Sequence, residues 1–151
     1  ASFARARLDL VQLTADVAQA FWRDSDAQER LDLRVPDEGV PPAEGDLDSL
    51  AIALRNLVEN ALRYSTGMVV LEVLPPCTVA VRDDGPGVNA QQLQTLQARH
   101  VRHSADVAGY GLGLSIVNTI VGKHGARLEL HSPPPGHPRG FEARIVLRPA
   151  E

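Results

Sequence analysis

The sequence predicts an α/β fold, a two-layer sandwich in which a mixed sheet of about five strands packs against three helices. Three observations carry that prediction. Stretches with apolar residues at helical spacing are interspersed with short runs of β-type residues. The length of 151 residues fits one domain with a sizeable core. No internal repeat divides the chain, so these elements belong to one packed unit.

Residues 8–23 place Leu10, Leu13, Val17, Ala20 and Phe21 on one side of a helix. "RLDLRVP" alternates and predicts a strand, and "DEGVPPAEGD" carries the turn residues of a loop. Asp46 or Asp48 is positioned to cap the next helix, Leu47 to Tyr64. "MVVLEVL" and "CTVAVRD" are strands joined at Pro75-Pro76 as a hairpin. "NAQQLQTLQARH" has helical character, and "RHSADVAGYG" is a polar loop containing glycine. A further helix runs from about Leu112 to His124 and stops at Gly125. "ARLELHS" and "FEARIVLR" alternate as closing strands around the loop "PPPGHPRG".

Composition removes several function classes. A net charge of −4 argues against general attraction to nucleic acid or an anionic membrane. The single cysteine, Cys77, excludes an internal disulfide framework and a cysteine zinc site, and its apolar surroundings in "CTVAV" predict a buried thiol. No run approaches the ~20 apolar residues of a membrane span, and no signal peptide pattern is visible. His100, His103, His124, His131 and His137 have no metal-ligand spacing and read as solvated loop histidines.

Three motifs carry chemistry. In "RNLVENALRYS", each helical residue advances about 100°, so Asn56, Asn60 and Arg63 share a stripe about 60° wide. Leu50, Leu54, Leu57, Val58 and Ala61 occupy the opposite arc. Asparagine is a poor helix former, so two of them mid-helix call for a reason. An amide oxygen suits a magnesium ion already balanced by phosphates, and Arg63 can fork onto those phosphates; a plainly solvated face is the other reading. In "VRDDGPGV", a strand delivers Asp83 into the turn Gly85-Pro86-Gly87, where a carboxylate can accept from an exocyclic amine such as adenine's. An ordinary D-G turn would leave the same residues. In "GYGLGLSIV", Gly109, Gly111 and Gly113 alternate into a helix start, a cradle for phosphate. It is neither the dinucleotide fingerprint, since Leu114 takes the last place, nor a Walker P-loop.

In this order the motifs resemble the ATP-binding catalytic domain of bacterial two-component sensor histidine kinases, in the superfamily shared with gyrase, the heat-shock chaperone and mismatch-repair ATPases. The resemblance runs from about Leu8 to Leu147 and implies a Bergerat-type fold, ATP and Mg²⁺ as cofactors, and a domain over residues 8–149. Residues 1–7 would be the tail of a connection to a dimerisation domain. It further implies that Asn60 binds Mg²⁺, that Asn56 and Arg63 serve the metal and phosphates, and that Tyr64 covers the sugar or base. Asp83 would take the adenine amine, with Gly85, Gly87 and Val88 shaping that wall. Gly109, Tyr110, Gly111, Leu112, Gly113 and Leu114 match the phosphate-cradling loop and hinge.

"RHVR" stands where the family reads R-F-Y-R, which makes Arg102 a lid contact to the γ-phosphate, with His100 and Val101 departing from the pattern. Asn56 replaces the glutamate that activates water in the superfamily's hydrolases, and an amide cannot act as that base, so transfer is favoured over hydrolysis. Glu59 lies at the margin of the stripe, either a surface carboxylate or a group orienting the acceptor. No histidine has the H-E-x-x-[ST]-P setting of a phosphoacceptor. The implied partners are therefore ATP or ADP, a separate dimerisation-phosphoacceptor domain, and a response-regulator receiver domain, with no nucleic acid. The isolated domain is expected to be monomeric and cytoplasmic, and the full-length protein dimeric in the inner membrane. A nucleotide-binding regulatory module and an anti-sigma-type serine kinase are the alternative readings; the latter usually has a carboxylate where Asn56 stands.

Overall fold

The computed structural model describes residues 5–97 and 111–150. Its centre is a five-stranded sheet of β2 (Leu31–Arg34), β4 (Val69–Leu74), β5 (Thr78–Asp83), β7 (Phe141–Val146) and β6 (Arg127–His131), in the order β2-β4-β5-β7-β6. β2 and β4 are parallel and the remaining pairs antiparallel, so the sheet is mixed as the sequence predicted. The helices α1 (Leu10–Phe21), α3 (Leu47–Arg63) and α5 (Gly111–Lys123) form the second layer. Strand alternation sends Val69, Leu71, Val73, Val79, Val81, Phe141, Ala143 and Ile145 toward that layer, where α3 buries Leu50, Leu54, Leu57, Val58 and Ala61. The expected apolar arc of α3 is thus its packed face.

The other sheet face is held by charge. The Glu142 side chain, 1% exposed, lies between Arg82 Nη1 at 3.4 Å and Arg144 Nε at 2.7 Å, and Arg82 also reaches Glu72 at 3.1 Å. The two guanidinium groups satisfy a carboxylate that burial alone would disfavour. Cys77 is fully buried as expected, and its burial raises the thiol above the usual range.

Several elements depart from the sequence reading. Ala6–Leu8, partly in the expected connecting tail, form β1, which pairs with β3 (Ala43–Gly45) inside the expected loop. The first helix begins after Asp9, whose carboxylate accepts from Val11 N and Gln12 N, so Leu8 falls outside it. A short helix, α2 (Ser25–Arg30), capped by Asp24, leads into β2. α4 (Ala90–Gln97) opens with a reciprocal cap, Asn89 Oδ1 accepting from Gln92 N and Gln92 Oε1 from Asn89 N. Gly125, at φ +60, ends α5 in the left-handed conformation where the sequence placed the stop. No helix among the described residues is long and apolar enough to cross a membrane.

Candidate nucleotide site

α3 carries the amides, and its start is fixed from two sides. Asp46 supplies the N-cap to Ser49 N, and the Asp46 backbone N–H donates to His124 Nε2 at 2.9 Å. His124 Nδ1 in turn donates to Ile120 O at 2.8 Å. His124 is 3% exposed, so the solvated-loop reading fails for it. The end of α5 is thereby pinned to the start of α3.

At the other end of α3, Asn60 is 8% exposed, and its Nδ2 is buried with no hydrogen-bond partner among the described residues. It lines a small cavity with Leu57, Val81, Asp83, Leu114 and Phe141. Asp83, at the end of β5 and 3% exposed, accepts from Gly85 N through Oδ1 at 2.8 Å. The structure thus joins the asparagine helix, the aspartate turn and the first turns of α5 around one small apolar-walled cavity with two polar groups. An orphaned buried amide costs about 1–3 kcal/mol.

The remaining predicted residues divide. Asn56 is half-buried and its Nδ2 donates back to Ile52 O at 2.9 Å. Arg63 and Tyr64 do not line the Asn60 cavity. They line a neighbouring crevice with Ser65, Thr66, Gly85, Pro86 and Arg139, the Arg63 guanidinium lying 6.0 Å from the Tyr64 ring centroid. Glu59 is exposed in a third groove with Ala20, Phe21 and Arg55, away from the cavity. Gly111, Leu112 and Gly113 lie in the first turn of α5, and Leu114 is buried beneath it. Arg102, Gly109 and Tyr110, with His100, Val101 and His103, lie outside the described residues.

The aspartate turn needs its glycines. Gly87 has φ +70, and a Cβ there would come within 2.5 Å of Gly140 O and Ser132 Oγ. A Cβ on Gly85 would meet Tyr64 O at 2.9 Å. Ser132 Oγ accepts from Val88 N at 3.0 Å and donates to Gly140 O at 2.7 Å, while Arg139 Nε donates to the Asp84 carbonyl. Gly140, at φ +118, sits so close to Asp83 O that no Cβ fits. Ser132, Arg139 and Gly140 therefore brace the turn from the β6–β7 loop. The sequence gives no local sign of it, because the contacts join residues about 45 to 55 apart.

Comparison with known proteins agrees with this architecture. The family described as "Histidine kinase-, DNA gyrase B-, and HSP90-like ATPase" matches residues 45–151. Sensor protein QseC of Escherichia coli K12 is 42% identical over 98 residues, covering 64% of this chain and 21% of QseC. Sensor protein BasS of the same organism is 34% identical over 131 residues, 82% of this chain and 36% of BasS. The chain thus spans a fifth to somewhat more than a third of these relatives. The solved structure of the mycobacterial sensor histidine kinase MprB superposes with a TM-score of 0.72 at 27% identity, covering 97% of this chain and all of that one. The family match, the relatives and the shared fold together place this chain in the histidine kinase-, DNA gyrase B- and HSP90-like ATPase family, as the ATP-binding catalytic domain of a sensor histidine kinase.

Proposed function

We propose that this domain binds Mg-ATP between α3, the Asp83 turn and the start of α5, and hands the γ-phosphate to a histidine on a separate dimerisation domain, for onward transfer to a receiver domain. The observation that carries the reading is the buried amide of Asn60 beside the Asp83 carboxylate. In this reading Asp83 accepts the adenine amine, and its bond from Gly85 N holds the carboxylate in place for that. A 180° turn of the Asn60 amide presents its oxygen to the cavity, a hard neutral ligand fitting a cation whose charge the phosphates balance. One neutral amide oxygen is a partial donor set, which suits an ion whose remaining ligands come from the nucleotide. Such an ion supplies charge neutralisation of the transferring phosphoryl group.

The chain's own residues do the rest. Leu57, Val81, Leu114 and Phe141 give the base an apolar wall that excludes water. Asn56, an amide where a general base would stand, leaves no group on that stripe to activate water. Arg63 and Tyr64 flank the neighbouring crevice as the cation and ring for the sugar-phosphate end. Gly85, Gly87 and Val88 form the backbone wall, and Gly111, Leu112, Gly113 and Leu114 at the start of α5 take the phosphate side. The domain works beside the membrane, inside the cell, within a dimeric full-length kinase.

Calorimetry with ATP and ADP, with and without Mg²⁺, tests the pocket. Wild type is expected to bind in the micromolar range, and Asn60→Ala or Asp83→Asn to lose measurable binding. Transfer is tested by adding a phosphoacceptor domain and assaying acid-labile, base-stable phosphate. A well-folded wild type that binds no nucleotide would overturn the reading.

A further inference from the structure

Arg30 closes α2, and its side chain bridges that helix to the segment after α3. Its side chain is 17% exposed. Nε donates to Gly67 O at 3.0 Å, and Nη2 donates to Ser65 O at 2.9 Å and to Ser65 Oγ at 3.2 Å. Nη1 pairs with Asp26 at 3.1 Å, one helical turn back, which steadies the guanidinium from behind. A planar fork on two carbonyls two residues apart fixes the direction of the backbone between them, as a point charge cannot.

That backbone is where α3 leaves its last turn. Ser65 is 7% exposed and its hydroxyl donates to Ala61 O at 2.6 Å, so the segment is bonded to α3 on one side and to Arg30 on the other. The segment then abuts the aspartate turn. A Cβ on Gly85 would meet Tyr64 O at 2.9 Å and Ser65 Cβ at 3.0 Å, so the two chains touch with no slack. Gly85 N is the group that holds Asp83 Oδ1. A Cβ on Gly67 would likewise meet the Asp84 carboxylate at 2.5 Å. Interiors at this packing density transmit displacement rather than absorb it.

From this chain of contacts we infer that Arg30 is a positioning residue for base recognition: by clamping Ser65 and Gly67 it holds the exit of α3 against Gly85, and so sets the Asp83 carboxylate at the base end of the site. The inference rests on the nucleotide site proposed above. Arg30 touches no ligand in this role; it acts through Ser65 and Gly85.

The test compares ATP with inosine triphosphate, which differs by a carbonyl in place of the amine that Asp83 would accept. Both are titrated with Mg²⁺ against a fluorescent ATP analogue on the full chain, for wild type, Arg30→Ala and Arg30→Lys. Wild type is expected to prefer ATP. Arg30→Ala is expected to lose ATP affinity on the order of tenfold while inosine triphosphate changes little, so the preference collapses. Arg30→Lys is expected to restore little of it, since one ammonium cannot hold both carbonyls in the planar geometry. A purely structural role would lower the two affinities by the same factor and leave their ratio intact, and that result in folded protein overturns the inference. Should Arg30→Ala not fold, Arg30→Gln carries the same comparison. A folded wild type that binds neither nucleotide would instead overturn the site itself.

Discussion

Asn60 buries an amide Nδ2 that no described group satisfies, a cost of about 1–3 kcal/mol that the folded domain carries in the absence of ligand. Its neighbour in sequence, Glu59, stands exposed at the surface at no such cost. A residue retained for binding at the expense of stability has a recognisable signature. Asn60→Ala is expected to unfold in urea within about 1 kcal/mol of wild type, or to be slightly more stable, while nucleotide binding disappears. A loss of about 3 kcal/mol or more would show that the amide serves the core instead. Asn60 and Asp83 stand out in the sequence as candidates because each breaks a local rule, an amide inside a helix and a carboxylate ending an apolar strand. Arg30, Ser132 and Gly140 were not, because each obeys its local pattern and acquires its role only against a distant segment. His124 was misread for the same reason: nothing near it in sequence announces that Asp46 N–H and Gly45 will close over its ring.

That ring works at the scale of elements, because α3 and α5 each contribute one wall of the site and meet at both ends. Leu114 faces Asn60 at the cavity, and His124 joins Asp46, the N-cap at the opposite end of α3, so the two helices run antiparallel. His124→Phe keeps an aromatic of similar size but removes the acceptor for Asp46 N and the donor to Ile120 O. It is expected to cost about 1–3 kcal/mol in chemical unfolding and to leave the base preference for ATP unchanged, because the site lies at the far end of the pair. Equal stability of the variant would mean that packing against Leu50 and Gly45 alone secures this joint. The long elements were readable because α3 and the sheet strands present many turns or alternations of one pattern. β1, β3 and α2 span three, three and six residues, too few for either period to register, and β1 and β3 form by pairing with distant segments, β3 with both β1 and Pro149. The five-strand count survived because these short pieces lie outside the main sheet.

For the whole molecule, the site and the core are built from the same side chains. Leu57, Ala61, Val81, Leu114 and Phe141 line the cavity and also belong to the hydrophobic cluster that joins sheet and helices. Occupying the cavity therefore adds contacts to the core itself, and a ligand that binds only the native state raises the free energy of unfolding by about 2.7 kcal/mol at a hundredfold excess over Kd. A domain of this size gains roughly 2–4 °C in Tm per kcal/mol, so saturating Mg-ATP is expected to raise the melting temperature by about 5–11 °C. Asn60→Ala and Asp83→Asn should melt near wild type without nucleotide and show no shift with it, whereas Arg30→Ala should keep a reduced shift, since its phosphate end is intact. Replacing Mg²⁺ by EDTA should diminish the wild-type shift if the metal arrives with the nucleotide on Asn60. A full shift in Asn60→Ala would mean that ATP stabilises the fold from another surface, and the cavity between α3, β5 and α5 would lose its assignment.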